Sequence, residues 1–191
     1  MKKYELTEET LTVSEKTLYR IRAVRDFGFV KTGEFGGYIE KEENLSHFGN
    51  AWISGDAKVY GDARVSDNAW VYGNAKVYGD ARVFGNAWIS GDARVFGDAR
   101  VSGNARVYGD ARVFNTRHFF VQGPIGSRDG YVTFYRTKDD TVEVRCGCFS
   151  GSLQEFVNQV EETHGGSRYE KEYKLAAELA KVCIRLEGES R

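Results

Sequence analysis

From Ile53 to Val113 an aliphatic residue stands at every sixth position: Ile53, Val59, Val65, Val71, Val77, Val83, Ile89, Val95, Val101, Val107 and Val113. Four residues after each, as far as Val107, comes an alanine, Ala57 through Ala111. In an extended segment alternate side chains share a face, so in "ARVY" the Ala and Val point one way and the Arg and Tyr the other. One small and one branched residue suit a narrow interior. The "GD", "GN" or "DN" between them is turn chemistry, because Gly, Asn and Asp tolerate the backbone angles of a corner. Six residues therefore make one strand and one corner.

A second period runs through the outward positions. Trp52, Trp70 and Trp88 recur every eighteen residues, each after an asparagine corner at Asn50, Asn68 and Asn86, and Asn104 continues the series before Arg106. The next side carries Lys58, Lys76, Arg94 and Arg112 with Tyr60, Tyr78, Phe96 and Phe114. The third carries Arg64, Arg82 and Arg100 after Asp62, Asp80 and Asp98. Three sides with three identities predict a mainly β fold, a triangular parallel β-helix of about four 18-residue coils. Strands stacked at roughly 4.8 Å give a body about 18 Å tall whose open edges need caps.

The ends lack the period. Residues 1–44 read as an N-terminal cap, although Ile39 and Leu45 suit an imperfect first coil. Residues 45–118 read as the β-helix and 119–191 as a small C-terminal α+β module. In that module "YVTFYR" and "TVEVRCGCF" are strand-like around a turn at "TKDD". Ser152 and Glu155 form a capping box for a helix closed by glycine, and a second helix is expected over about 168–186.

The hexads resemble those of the hexapeptide-repeat proteins, and the resemblance implies a left-handed coil. The lead-in "GEFGGYIE…NLS", coils such as "GDARVFGNA" and the tail "RCGCFSGSLQEF…THG" together are similar to an uncharacterised group of phage and prophage proteins. That similarity implies a setting and carries no catalytic residues.

Charge narrows the function classes. With 27 basic and 28 acidic side chains the chain is nearly neutral, so bulk charge argues for neither nucleic acid nor membrane surface. The opening "MKKYELTEET" lacks the apolar stretch of a secretory signal, and the three cysteines are an odd number. A reduced, cytoplasmic protein is expected, in the host cytoplasm if phage-encoded. No apolar run approaches membrane-spanning length.

Three sets of side chains are candidates for binding or chemistry. Lys58, Tyr60, Lys76, Tyr78, Arg94, Phe96, Arg112 and Phe114 form basic and aromatic rows on one face, a surface suited to phosphates and stacked bases. Seven corner aspartates oppose eight Lys or Arg between residues 47 and 112. The alternative is therefore a set of packed cation-aromatic ladders, and nucleic acid is not the favoured partner. Trp52, Trp70 and Trp88 would make a large apolar patch that something covers. Since hexapeptide-repeat proteins are commonly trimers, a subunit interface is expected, with the chain's own terminal module as the alternative. Cys146, Cys148, His164 and Cys183 form a weak zinc set, because C-x-C is not the usual knuckle spacing and Cys183 lies in an apolar helical stretch.

An acyltransferase, the activity of many hexapeptide-repeat proteins, would want a histidine on a loop interrupting the coils. These coils have no insertion, and only His47 and His118 flank them. The expectation is a non-enzymatic, homo-oligomeric binding protein without a cofactor. Its most concrete role is sequestering a host nucleotide immune signal or blocking a host defence protein. A hexapeptide acyltransferase and a structural spacer of a phage particle are the alternatives.

Overall fold

The computed structural model describes residues 2–186. It opens with an antiparallel hairpin, β1 (Tyr4–Val13) and β2 (Lys16–Ala23), which turns on Ser14 and Glu15, both at positive φ. Strand β3 (Phe35–Ile39) pairs back onto β2. Eleven two-residue strands follow: β4 (Trp52–Ile53), β5 (Lys58–Val59), β6 (Arg64–Val65), β7 (Trp70–Val71), β8 (Lys76–Val77), β9 (Arg82–Val83), β10 (Trp88–Ile89), β11 (Arg94–Val95), β12 (Arg100–Val101), β13 (Arg106–Val107) and β14 (Arg112–Val113). Every third strand is a parallel neighbour. The three faces are β3-β5-β8-β11-β14, β4-β7-β10-β13 and β6-β9-β12, with the hairpin extending the first of them.

Within the coils the register shifts by eighteen residues, so Trp52 pairs with Trp70 and Trp70 with Trp88. The stack of about four coils thus has the predicted architecture. Its interior is the predicted set, with the alanine and aliphatic positions between Ala57 and Val113 wholly or almost wholly shielded from solvent. The corners demand a left-handed backbone. Gly91 has φ +69°, and a Cβ there would stand 2.9 Å from the amide nitrogen of Gly109 in the coil above. Asp67 takes the same conformation at φ +59° in the one corner built from "SDN", as Asp tolerates better than most residues.

Each end of the stack is closed by other parts of the chain. Below, Ile39 pairs with Val59 and Leu45 bridges to Val65, so the parallel pairing already begins in the segment leading into the coils. Lower-edge carbonyls are satisfied by side chains. Lys3 Nζ donates to the Ala51 oxygen at 2.8 Å, and Asn44 Nδ2 donates to the oxygens of Gly61 and Ala63. Above stands a four-stranded antiparallel sheet: β15 (Phe119–Ile125), β16 (Gly130–Arg136), β17 (Val142–Cys146) and β18 (Phe149–Ser152).

Strand β16 faces both ways. Tyr135 joins the core of the coils, and Thr133 Oγ1 accepts from the Arg106 amide at 3.0 Å. Val132 and Phe134 face helices α1 (Leu153–His164) and α2 (Arg168–Cys183). Ser152 and Glu155 form the expected capping box at the start of α1.

Two pieces carry elements that the periodicity does not predict. The mixed charged stretch at the N-terminus is a long hairpin, and "FFVQGPI" is a strand. Pro124 fits there because β15 is an edge, where a missing amide donor breaks no ladder. None of the helices among the described residues is long and apolar enough to cross a membrane.

Candidate ligand-binding cleft

The basic and aromatic rows form as columns, and the rings stack on one another. Tyr60 and Tyr78 lie 5.0 Å apart at 3°, Tyr78 and Phe96 5.0 Å apart at 4°, and Phe96 and Phe114 5.5 Å apart. His118 closes the column edge-on against Phe114 at 3.8 Å. Tyr60 is buried with Leu18 and Tyr38 beneath the β1-β2 hairpin. Ring faces spent on each other leave mainly edges outward, so bases cannot stack on this row as its composition suggested.

The cations beside it are drawn to main-chain oxygens. Lys58 donates to the Asp56 carbonyl at 2.7 Å, and Arg112 donates to those of Asp92, Asp110 and Ala111. Burial, and then the neighbouring charges of Arg94 and Lys58, hold the Lys76 ammonium below its usual range. This geometry is closer to the packed ladder than to an open phosphate track.

The tryptophans do not form one patch. Trp52 is 0% exposed, with the Phe27 and Tyr4 rings 5.3 and 6.4 Å from it. The chain's own N-terminal segment covers it, which removes Trp52 from any subunit contact in this fold. Trp70 is half-buried and Trp88 is 38% exposed, with their rings 6.4 Å apart. Above Trp88 the series ends in Arg106, its guanidinium 5.4 Å from the Trp88 ring centre.

At that upper end the C-terminal module leans over the tryptophan face and encloses a cleft of about 600 Å³. Asn86, Trp88, Asn104 and Arg106 line it from the coils. Arg128, Tyr131, Cys148, Gln159 and His164 are among those lining it from the module, and among the described residues no carboxylate is in the lining. Among the described residues neither Arg106 nor Arg128 has an ion-pair partner. The corner asparagines run into the same place. The amide nitrogen of Asn50 donates to the oxygen of Asn68 at 3.1 Å, Asn68 to Asn86 at 3.2 Å, and Asn86 to Asn104 at 3.3 Å.

The cysteine and histidine candidates divide. Cys146, Cys148 and His164 border the cleft, whereas Cys183 lies on the last turn of α2 and does not. Among the described residues no three His, Cys, Asp or Glu side chains are grouped to hold a metal ion. Burial pushes the Cys146 thiol up, against a hydrogen bond with Tyr173 that pulls it down. Tyr173 is itself pushed up to about 12 by burial, then by Cys146. Both groups therefore stay protonated at neutral pH. His47 stacks on Tyr4 at 4.3 Å beneath the coils, and His118 is buried.

Composition and spacing pointed elsewhere than Arg128, Tyr131 and Asn104. The available sign was the break in the tryptophan series at Arg106, preceded by one more asparagine corner. The repeats at 57–73, 75–91, 87–103 and 99–115 match the family model described as the YdcK beta solenoid repeat. No curated protein matches the chain. Matched repeats and stacked parallel coils together make this a β-solenoid repeat protein.

Proposed function

We propose that the chain is a non-enzymatic binding protein that works as a homotrimer and holds a small anionic ligand in the cleft above Trp88. One observation carries this reading: Arg106 and Arg128, both without an ion-pair partner among the described residues, line a cavity whose described lining residues include no carboxylate. Guanidiniums suit this task because they stay charged and grip phosphate or carboxylate with two parallel hydrogen bonds. The cavity volume falls in the range of small-molecule sites, roughly 300–1,000 Å³. In the phage or prophage setting that the sequence resemblance suggests, such a site would sequester a host nucleotide signal. Blocking a host defence protein is the corresponding role for the outer faces.

An acyltransferase finds less support. His118, the histidine that follows the coils, is buried against Phe114, and the protonated Cys146 thiol is a weak nucleophile.

The test is native mass spectrometry of the purified protein beside Arg106→Glu/Arg128→Glu. A trimer that carries or takes up an anionic small molecule, lost in the double variant without change of subunit number, supports the reading. Uptake unchanged in the variant would refute the cleft as the site, and a monomer would refute the assembly.

A further inference from the structure

The asparagine column has a direction. Each amide nitrogen donates upward to the oxygen of the next asparagine, from Asn50 through Asn68 and Asn86 to Asn104. Amides bonded head to tail polarise one another, and the last member alone has no further asparagine to receive its N–H. That member is Asn104, which lines the cleft. Its oxygen is engaged by Asn86, and its NH2 group has no partner among the described residues.

Two other features of the cleft bear on the ligand. Tyr131 is 41% exposed and offers a flat apolar wall from the module side. Arg106 is held against Trp88, so its guanidinium is already positioned on the coil side.

Resting on the reading of the cleft as an anion site, we propose that its ligand is of the nucleotide class, a flat ring bearing a phosphate, and that the ring turns a carbonyl toward Asn104. The ring packs on Tyr131, and the phosphate is held by Arg106 and Arg128. The carbonyl accepts from the Asn104 amide and becomes the next rung of the column. An amino group at the same ring position would set donor against donor and leave both unpaired inside the cleft. Guanine and uracil rings are thereby favoured over adenine and cytosine.

The experiment is isothermal titration of the full chain with GMP, UMP, AMP, CMP and inorganic phosphate, repeated on Asn104→Ala. The expected result is binding of GMP and UMP about tenfold tighter than AMP and CMP, the difference made by one hydrogen bond gained or left unmade. Asn104→Ala should erase that preference while AMP binding is retained. Equal affinity for oxo and amino nucleotides in the wild type would overturn the carbonyl assignment and leave the anion site standing. Phosphate bound as tightly as GMP would overturn recognition of the ring. No binding of any of the five would overturn the anion site itself.

Discussion

The Arg106 guanidinium lies 5.4 Å from the centre of the Trp88 ring, and the two residues are partners in register between neighbouring coils. A fourth indole in that place would have continued the apolar column under the module. A cation there instead places charge at the mouth of the cleft, and the contact contributes about 0.5–1 kcal/mol at a partly exposed site.

Equivalent tryptophans should differ in their contribution to stability. Trp52→Ala removes an indole with no solvent exposure from beneath Tyr4 and Phe27, and should cost about 3–5 kcal/mol. Trp88→Ala, at the exposed end, should cost about 1–2 kcal/mol by the smaller area involved. Urea unfolding of both variants checks this, and equal losses would contradict the covering role of the N-terminal segment.

The asparagine column should weaken most from its middle. Asn68 takes part in two amide bonds and Asn50 in one. At about 0.5–1.5 kcal/mol per bond, Asn68→Ala should destabilise roughly twice as much as Asn50→Ala in the same unfolding measurement.

Two corner glycines with nearly the same backbone should respond differently to a methyl group. Gly91→Ala meets both the strain of φ +69° and the Gly109 backbone, whereas Gly103, at φ +67°, has nothing within 4 Å of an added Cβ. Gly103→Ala should cost about 1 kcal/mol, the left-handed penalty alone, and Gly91→Ala clearly more. Thermal melts of the two proteins decide the matter.

Lys3 should give the protein an alkaline gain in stability. Burial, and then Arg25, lower its pKa from 10.5 to about 8. Between those two values the unfolded chain binds more protons than the folded one, so stability rises with pH across that window and is unaffected by this group below it. Tyr108 and Tyr173, both raised to about 12, act oppositely, since the unfolded chain loses their protons first above pH 10. Unfolding free energies of wild type minus Lys3→Met, followed from pH 7 to 10, should therefore climb. A flat difference would mean that the ammonium is not held at a cost.

The coils were legible because their constraint is local and repeated. An inward aliphatic every sixth residue and an identity every eighteenth follow directly from strand, corner and coil. What covers Trp52 was not legible, since Tyr4 and Phe27 reach it from distant, aperiodic sequence. The recurrence of Asn50, Asn68, Asn86 and Asn104 was plain, yet their mutual bonding depends on side-chain direction at the corner, which spacing does not convey. The cleft needed one more fact that no residue pattern contains, the side of the triangle toward which the C-terminal sheet leans. The strand around Pro124 was hidden because proline argues against a strand until the strand is known to be an edge.

The cleft draws only on Asn86, Trp88, Asn104 and Arg106 among the coil residues, while the N-terminal cover rests on the coil of Trp52. The turn between them contributes no residue to the lining of the cleft, and its Tyr72 hydroxyl lies 3.4 Å from that of Tyr108, two coils above. The body is therefore adjustable in length: an eighteen-residue insertion there would move base and cleft apart by one strand spacing, about 4.8 Å, and leave the lining of the cleft unchanged. Such a chain can be lengthened or shortened by whole turns without altering the shape of its cleft.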